Sequence, residues 1–115
     1  MPRIVDCGAN IGLATLYFKL HHPAARVLCF EPNPGCFALL KKNVETNQLA
    51  DVTLVEAACG RENGKVAFFA DPEFSPQSSA RRGRSARGVA CEVKQVRLSD
   101  YLDGDVDLLK LDVEG

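Results

Sequence analysis

Apolar positions along the chain change period several times, and each change marks an element. Residues 3 to 6, Arg-Ile-Val-Asp, form a short run that predicts a strand ending at Cys7-Gly8. Leu13, Leu16, Tyr17 and Leu20 then recur at i, i+3, i+4 and i+7, the stripe of a helix packed on a sheet. Asn10 suits the N-cap of that helix and Pro23 its stop. The run "RVLCFE" is almost wholly apolar, which predicts a strand covered on both faces, as in a parallel sheet. "PNPGCFALLKKNVETN" returns to the helical period. Asn33 suits its cap, Pro34 its first position, and Phe37, Leu40 and Val44 its buried face. "DVTLVEA" predicts a third strand. Residues 1 to 57 thus read strand–helix–strand–helix–strand, a right-handed doubly wound α/β unit.

The pattern then shifts. An Asn63-Gly64 turn precedes a strand-like run from Lys65 to Ala70. Residues 71 to 88 are mostly Ser, Arg, Gly, Pro and Gln, the composition of a flexible basic loop. Its arginines, Arg81, Arg82, Arg84 and Arg87, have no interleaved aromatics, so a solvated loop is the expectation, with a lid over an acidic substrate as the sharper alternative. Val89, Cys91 and Val93 alternate before the phase slips to Val96 and Leu98, which predicts a strand with a bulge. Ser99 suits the cap of one helical turn. "VDLLKLDVEG" closes the chain as a buried strand with an acidic end.

Totals narrow the function without naming it. The chain has 115 residues, enough for one small domain, and a formal net charge of −1, which gives no expectation of nucleic-acid binding. No apolar run approaches the length of a membrane span, and the start lacks the apolar stretch of a signal peptide, so a cytoplasmic location is expected. Five scattered cysteines, with no C-x-x-C, and two adjacent histidines give no metal site and no disulfide framework. Buried free thiols in a reducing compartment are the expectation.

The candidate chemistry lies in four acids. Asp6, Glu31, Glu56 and Asp112 each close an apolar run, at the carboxyl ends of predicted strands that would line one crevice. Gly8 and Gly12 let backbone approach a ligand closely. Glu31 follows at about the distance where an acid meets a ribose diol. A nucleoside-bearing cofactor is implied. The dinucleotide pattern G-x-G-x-x-G is absent, as is G-K-[ST], and an acid at Asp6 would repel a pyrophosphate. It would suit the amine of S-adenosylmethionine, with Glu31 on the ribose and Glu56 or the Ala57 backbone at the adenine.

"VDCGANIGLATLYF", "CFEPNPGCFALLKKNV", "VTLVEAACG" and "LLKLDVEG" resemble, in order, the motifs of the FkbM family of class I S-adenosylmethionine-dependent methyltransferases. "FEPNP" and "DVEG" are the most family-specific, because many methyltransferases share the glycine motif. The resemblance implies a Rossmann-like, doubly wound, mostly parallel sheet and O-methylation of a hydroxyl on a small molecule or saccharide. It implies that Asp6, Gly8, Ala9, Asn10 and Gly12 hold the methionine part. Glu31 would hold the ribose with Pro32 and Asn33 shaping that wall, and Glu56 and Ala57 would face the adenine. Asp112 and Glu114 would lie near the methyl group.

The family fold carries three further strands, so the chain reads as a partial methyltransferase domain, residues 89 to 115 supplying a strand, a short turn and the fourth core strand. The strand 106 to 112 would then be an exposed apolar edge, open to association. Asp112 or Glu114 could remove the acceptor's proton, worth about 10²–10⁴-fold; equally, Glu114 could cap a following helix. A rival reading is a non-catalytic remnant that binds the nucleoside or pairs with another chain. A nicotinamide oxidoreductase would need the missing glycine.

Overall fold

The computed structural model describes residues 2–70 and 89–111. The elements are β1 (Arg3–Cys7), α1 (Leu13–His21), β2 (Arg26–Phe30), α2 (Pro34–Thr46), β3 (Val52–Val55), β4 (Ala58–Gly60), β5 (Gly64–Ala70), β6 (Val89–Arg97), a 3-10 turn (Leu98–Tyr101) and β7 (Leu108–Leu111). The expected loop 71 to 88, and Asp112 and Glu114, lie outside the described residues.

Four strands pair in the order β3-β2-β1-β7, all parallel. The chain steps outward from β1 to β3, and β7 returns on the other side of β1. The strand order therefore reverses between β1 and β7, the position where open α/β sheets bind ligands beyond their carboxyl ends. A second sheet, β4-β6-β5, was not legible in full. The three-residue β4 runs parallel to β6, while β5 and β6 form an antiparallel pair.

Alternation along β1 and β2 splits the core in two. Ile4, Val27 and Cys29 join Leu40 of α2 and, at its margin, Phe18 of α1. Val5, Cys7 and Phe30 point the other way, onto Ala57, Val96, Tyr101 and Leu102. The Phe30 and Tyr101 rings meet edge to face at 5.0 Å. Helices thus cover one face of the parallel sheet, and the small sheet with its 3-10 turn covers the other. Arg3 ties the return segment down: its guanidinium donates to the Tyr101 carbonyl at 2.9 Å and to the Asp103 carbonyl, and its N–H donates to Asp107 Oδ2 at 2.7 Å.

Helix α2 follows the sequence expectation closely. Asn33 Oδ1 accepts from the Gly35 and Cys36 N–H groups, Pro34 opens the helix, and Leu40 is fully buried between Phe37 and Val44. Helix α1 does not. Leu13, Tyr17 and Leu20 of the expected stripe are 68%, 61% and 76% exposed. The buried face carries Gly12, Thr15 and Lys19 instead, spaced i, i+3, i+7. Gly12 fixes this rotation, because its bare Cα lets Leu40 Cδ1 approach to within 2.9 Å of where a Cβ would stand. The two polar residues beneath the helix find partners. Thr15 Oγ1 lies 3.2 Å from Cys29 Sγ, and Lys19 Nζ donates to the Pro23 and Ala25 carbonyls at 2.7 Å each.

Smaller corrections have similar local causes. Gly12, left-handed at φ 98°, takes the N-cap position of α1 rather than Asn10. Arg97 precedes the 3-10 turn, so Ser99 lies inside it. The β5–β6 register runs unbroken from Gly64↔Gln95 to Ala70↔Val89, so β6 has no bulge there; its phase slip marks Gln95, where β6 passes from β5 to β4. Among the described residues β7 ends the sheet order, and its exposed Leu108, Leu109 and Leu111 make it an apolar edge rather than the buried strand its composition predicts.

The rotation of α1 has a direct check by urea unfolding. Leu20→Ser should change stability by no more than about 0.5 kcal/mol, whereas Phe30→Ala should cost about 3–5 kcal/mol. A loss for Leu20→Ser comparable to that of Phe30→Ala would return the stripe to the core.

Candidate cofactor site

The site grows from the turn that leaves β1. Gly8, Asn10 and Gly12 all take positive φ, at 87°, 58° and 98°. Left-handed residues at alternate positions curl the backbone so that successive N–H groups converge, a shape suited to anions. Here those donors already have acceptors. Gly8 and Ala9 N–H both donate to the Phe30 carbonyl at 2.9 Å, and Gly12 N–H donates to the Ala9 carbonyl at 3.0 Å. Asn10 N–H donates to Glu31 Oε1 at 2.7 Å.

Glu31 is buried, and its second oxygen is also engaged: Oε2 accepts from Asn33 N–H at 2.9 Å. One carboxylate therefore joins the turn after β1 to the turn after β2. Burial pushes its pKa above the ordinary glutamate value, opposed by the N–H bonds from Asn33 and Asn10. Asn43 braces the glycine turn from α2, donating from Nδ2 to the Ile11 carbonyl at 2.7 Å.

Asp6, expected to meet the cofactor's amine, does not face the cavity beside the turn. It is the penultimate residue of β1, on the same face as Ile4 and Cys29, and fully buried. Lys110 of β7 sits directly opposite it in register and holds Asp6 Oδ1 at 3.1 Å. Its side chain keeps 29% of its surface and lines a cavity of about 280 Å³ with Gly8, Ala9, Asn10, Ile11, Leu13 and Ala14. Asp6 does not line it.

The remaining sequence-assigned residues divide. Pro32 and Asn33 follow Glu31 into the cap of α2, so the three residues expected on the ribose side are contiguous. Glu56 is exposed just past β3, while Ala57 is fully buried and turns its N–H to the Val55 carbonyl at 3.0 Å. Glu31 N–H donates to that same carbonyl at 3.1 Å, which sets the β2 and β3 ends side by side.

The thiols are free at Cys7, Cys29, Cys36 and Cys59. Burial pushes Cys29 up to about 12, and burial with the Glu31 charge does the same for Cys36. Cys7 and Cys59 share a hydrogen bond that lowers the first and raises the second. Among the described residues no group of His, Cys, Asp or Glu could hold a metal ion. No helix among them is long and apolar enough to cross a membrane.

Sequence reasoning missed Lys110 and Asn43. Lys110 did leave a signal, as the one cation inside the apolar run "DLLKLD". Asn43 left none, since an amide on a helix reads as a solvated residue.

A parallel α/β sheet with a glycine turn at its reversal point, braced to an acid after the second strand, defines a Rossmann-like cofactor-binding fold. The chain belongs to the FkbM methyltransferase family: the model of the Methyltransferase FkbM domain matches residues 6–115. Relatives include "Methyltransferase 1" of Beauveria bassiana (strain ARSEF 2860), 33% identical across 97% of this chain and 54% of that protein. "Methyltransferase sdnD" of Sordaria araneosa is 33% identical across 99% and 57% respectively. "31-O-demethyl-FK506 methyltransferase FkbM" of Streptomyces tacrolimicus is 34% identical across 69% and 32%. The chain thus spans little more than half the length of the first two.

Two measurements test the brace. Gly12→Ala should destabilise by about 1–3 kcal/mol, because alanine is strained at this φ and its methyl would crowd Leu40 Cδ1; an unchanged urea midpoint would contradict the close packing. The raised pKa of Glu31 means that the folded state holds the proton more tightly than the unfolded chain. Its contribution to stability is therefore full below the ordinary glutamate pKa and lost as pH rises through the raised value. Glu31→Gln should remove that part of the pH dependence in urea titrations, and an identical pH profile would refute it.

Proposed function

We propose that this chain forms the cofactor-binding part of an S-adenosylmethionine-dependent methyltransferase acting on a hydroxyl of a small molecule or saccharide. Family membership supports the reaction class. The name of the Streptomyces relative specifies an O-demethylated acceptor, which supports a hydroxyl nucleophile. The observation that carries the choice of cofactor is the occupied donor set of the glycine turn. With the Gly8, Ala9, Asn10 and Gly12 N–H groups bonded inside the protein, the turn offers a pyrophosphate fewer amides than an open glycine loop would. That is a different reason from the charge of Asp6, which Lys110 offsets.

The residues fit a nucleoside without phosphate. Each Glu31 oxygen accepts one N–H, and a carboxylate oxygen has capacity for a second, so a ribose diol can join without breaking the brace. Pro32 and Asn33 would wall that side, and Glu56 and Ala57 would border the base. Gly8, Ala9, Asn10 and Gly12, with Asp6 behind Lys110, would receive the amino-acid end. The bound cofactor supplies an electrophilic methyl group. The protein's part is to orient a hydroxyl about 3 Å from that carbon, in line with the breaking bond, and to take up its proton, a role for Asp112 or Glu114.

A second reading, a nucleoside-binding module that pairs with another chain, is favoured by the exposed leucines of β7. Calorimetric titration with S-adenosylmethionine, S-adenosylhomocysteine and NAD tests the cofactor. Saturable binding of the first two, tighter than NAD, is expected; preference for NAD would overturn it. Transfer of a labelled methyl group to hydroxylated acceptors then separates an enzyme from a binding module.

A further inference from the structure

We infer that Lys110 receives the carboxylate of the cofactor's amino-acid end and that Asp6 is its positioning residue, a reading that rests on S-adenosylmethionine as the cofactor. The first support is placement. The cavity beside the glycine turn is walled by Gly8, Ala9, Asn10 and Ile11, by Leu13 and Ala14 from the start of α1, and by Lys110 from β7. Among these described residues Lys110 carries the only charge.

The second support is the state of the backbone. In a turn with convergent N–H groups, a ligand carboxylate would ordinarily bind the amides. Here the Phe30 carbonyl, the Glu31 carboxylate and the Ala9 carbonyl take the donors of Gly8, Ala9, Asn10 and Gly12. Lys110 offers an anionic ligand end at this wall a charged complement that the bonded amides of Gly8, Ala9, Asn10 and Gly12 do not. The apolar walls beside Lys110, from Ile11, Leu13 and Ala14, suit the methylene chain that joins an amino-acid head to a sulfonium.

The third support is the division of labour within the pair. Asp6 is 0% exposed and contributes charge without surface, whereas Lys110 keeps surface on the cavity. Asp6 thus anchors the ammonium from behind and holds it against the cavity wall. Lysine can do both because its ammonium carries three donors. The acid that seemed placed to meet the cofactor's amine acts through the lysine opposite it.

The test uses the full chain and two ligands. S-adenosylmethionine and its decarboxylated form share the nucleoside, the sulfonium and the amine, and differ in the carboxylate. The unmodified protein should bind S-adenosylmethionine about tenfold or more tighter, the worth of a charge-assisted hydrogen bond. In Asp6→Asn/Lys110→Met, which removes both charges and leaves no buried carboxylate unpaired, that gap should shrink to about twofold or less, with affinity for the decarboxylated form kept. Lys110→Arg should retain the gap. Circular dichroism checks the fold, and Lys110→Gln gives the same comparison where the double variant unfolds. A gap unchanged by removing the charges overturns the inference, as do equal losses for both ligands, which would mark the pair as a tie between β1 and β7. Failure of the unmodified protein to bind either ligand overturns the cofactor reading, and this inference with it.

Discussion

Two hydrogen bonds to one carboxylate organise this site. Glu31 stands after β2 and accepts from Asn10 in the first βα turn and Asn33 in the second. Each turn leaves N–H groups that a helix start cannot satisfy internally. Glu31 meets one in each, so the two turns are fixed relative to each other before any ligand arrives. Without that carboxylate, a left-handed Asn10 at φ 58° would lose the bond that compensates its strained backbone. Burial raises the pKa of Glu31, and the same N–H bonds work against that rise. The cost of burying a charge and the gain of holding a turn are therefore set by the same contacts.

The rest of the site follows from how the sheet is covered. Its helical face accepts polar residues where each finds a partner: Asp6 with Lys110, Thr15 with Cys29, Lys19 with two carbonyls. The opposite face, against the second sheet, is apolar around Phe30 and Ala57. Placing Asp6 on the helical side removes it from the crevice and gives Lys110 the exposed position. The pair also ties β7, the strand where the order reverses, to β1 at the level of the glycine turn. The same contact thus fixes both sheet geometry and the sign of the charge offered to the cavity.

Much of this was legible from residue pattern, and the failures share a cause. The strands β1, β2 and β3 and helix α2 agree at every level: apolar runs, an Asn33–Pro34 start and a Phe37–Leu40–Val44 face. Helix α1 misleads because its most regular apolar stripe is not the face that packs. The rotation depends on Gly12 fitting against Leu40, a contact between residues far apart in sequence, and on a lysine and a threonine whose partners cannot be seen in one dimension. The role of Glu31 was half legible. Its distance from the glycines signalled a site, but its bond to Asn10 required the turn to be folded back on β2. Lys110 was visible as a lone cation in an apolar strand, and only the parallel register with β1 joined it to Asp6. The expectation against a pyrophosphate rested on the charge of Asp6; in the folded protein Lys110 pairs with that acid, and four amides of the glycine turn are bonded internally.

Glu31 holds both turns at once, and nuclear magnetic resonance of the backbone amides during a pH titration reads this directly. The Asn10 and Asn33 amide protons should shift together, in one step, with a common apparent pKa above the ordinary glutamate value. Both shifts should vanish in Glu31→Gln. Separate midpoints for the two amides, or no titration of either, would contradict the brace and the site built on it.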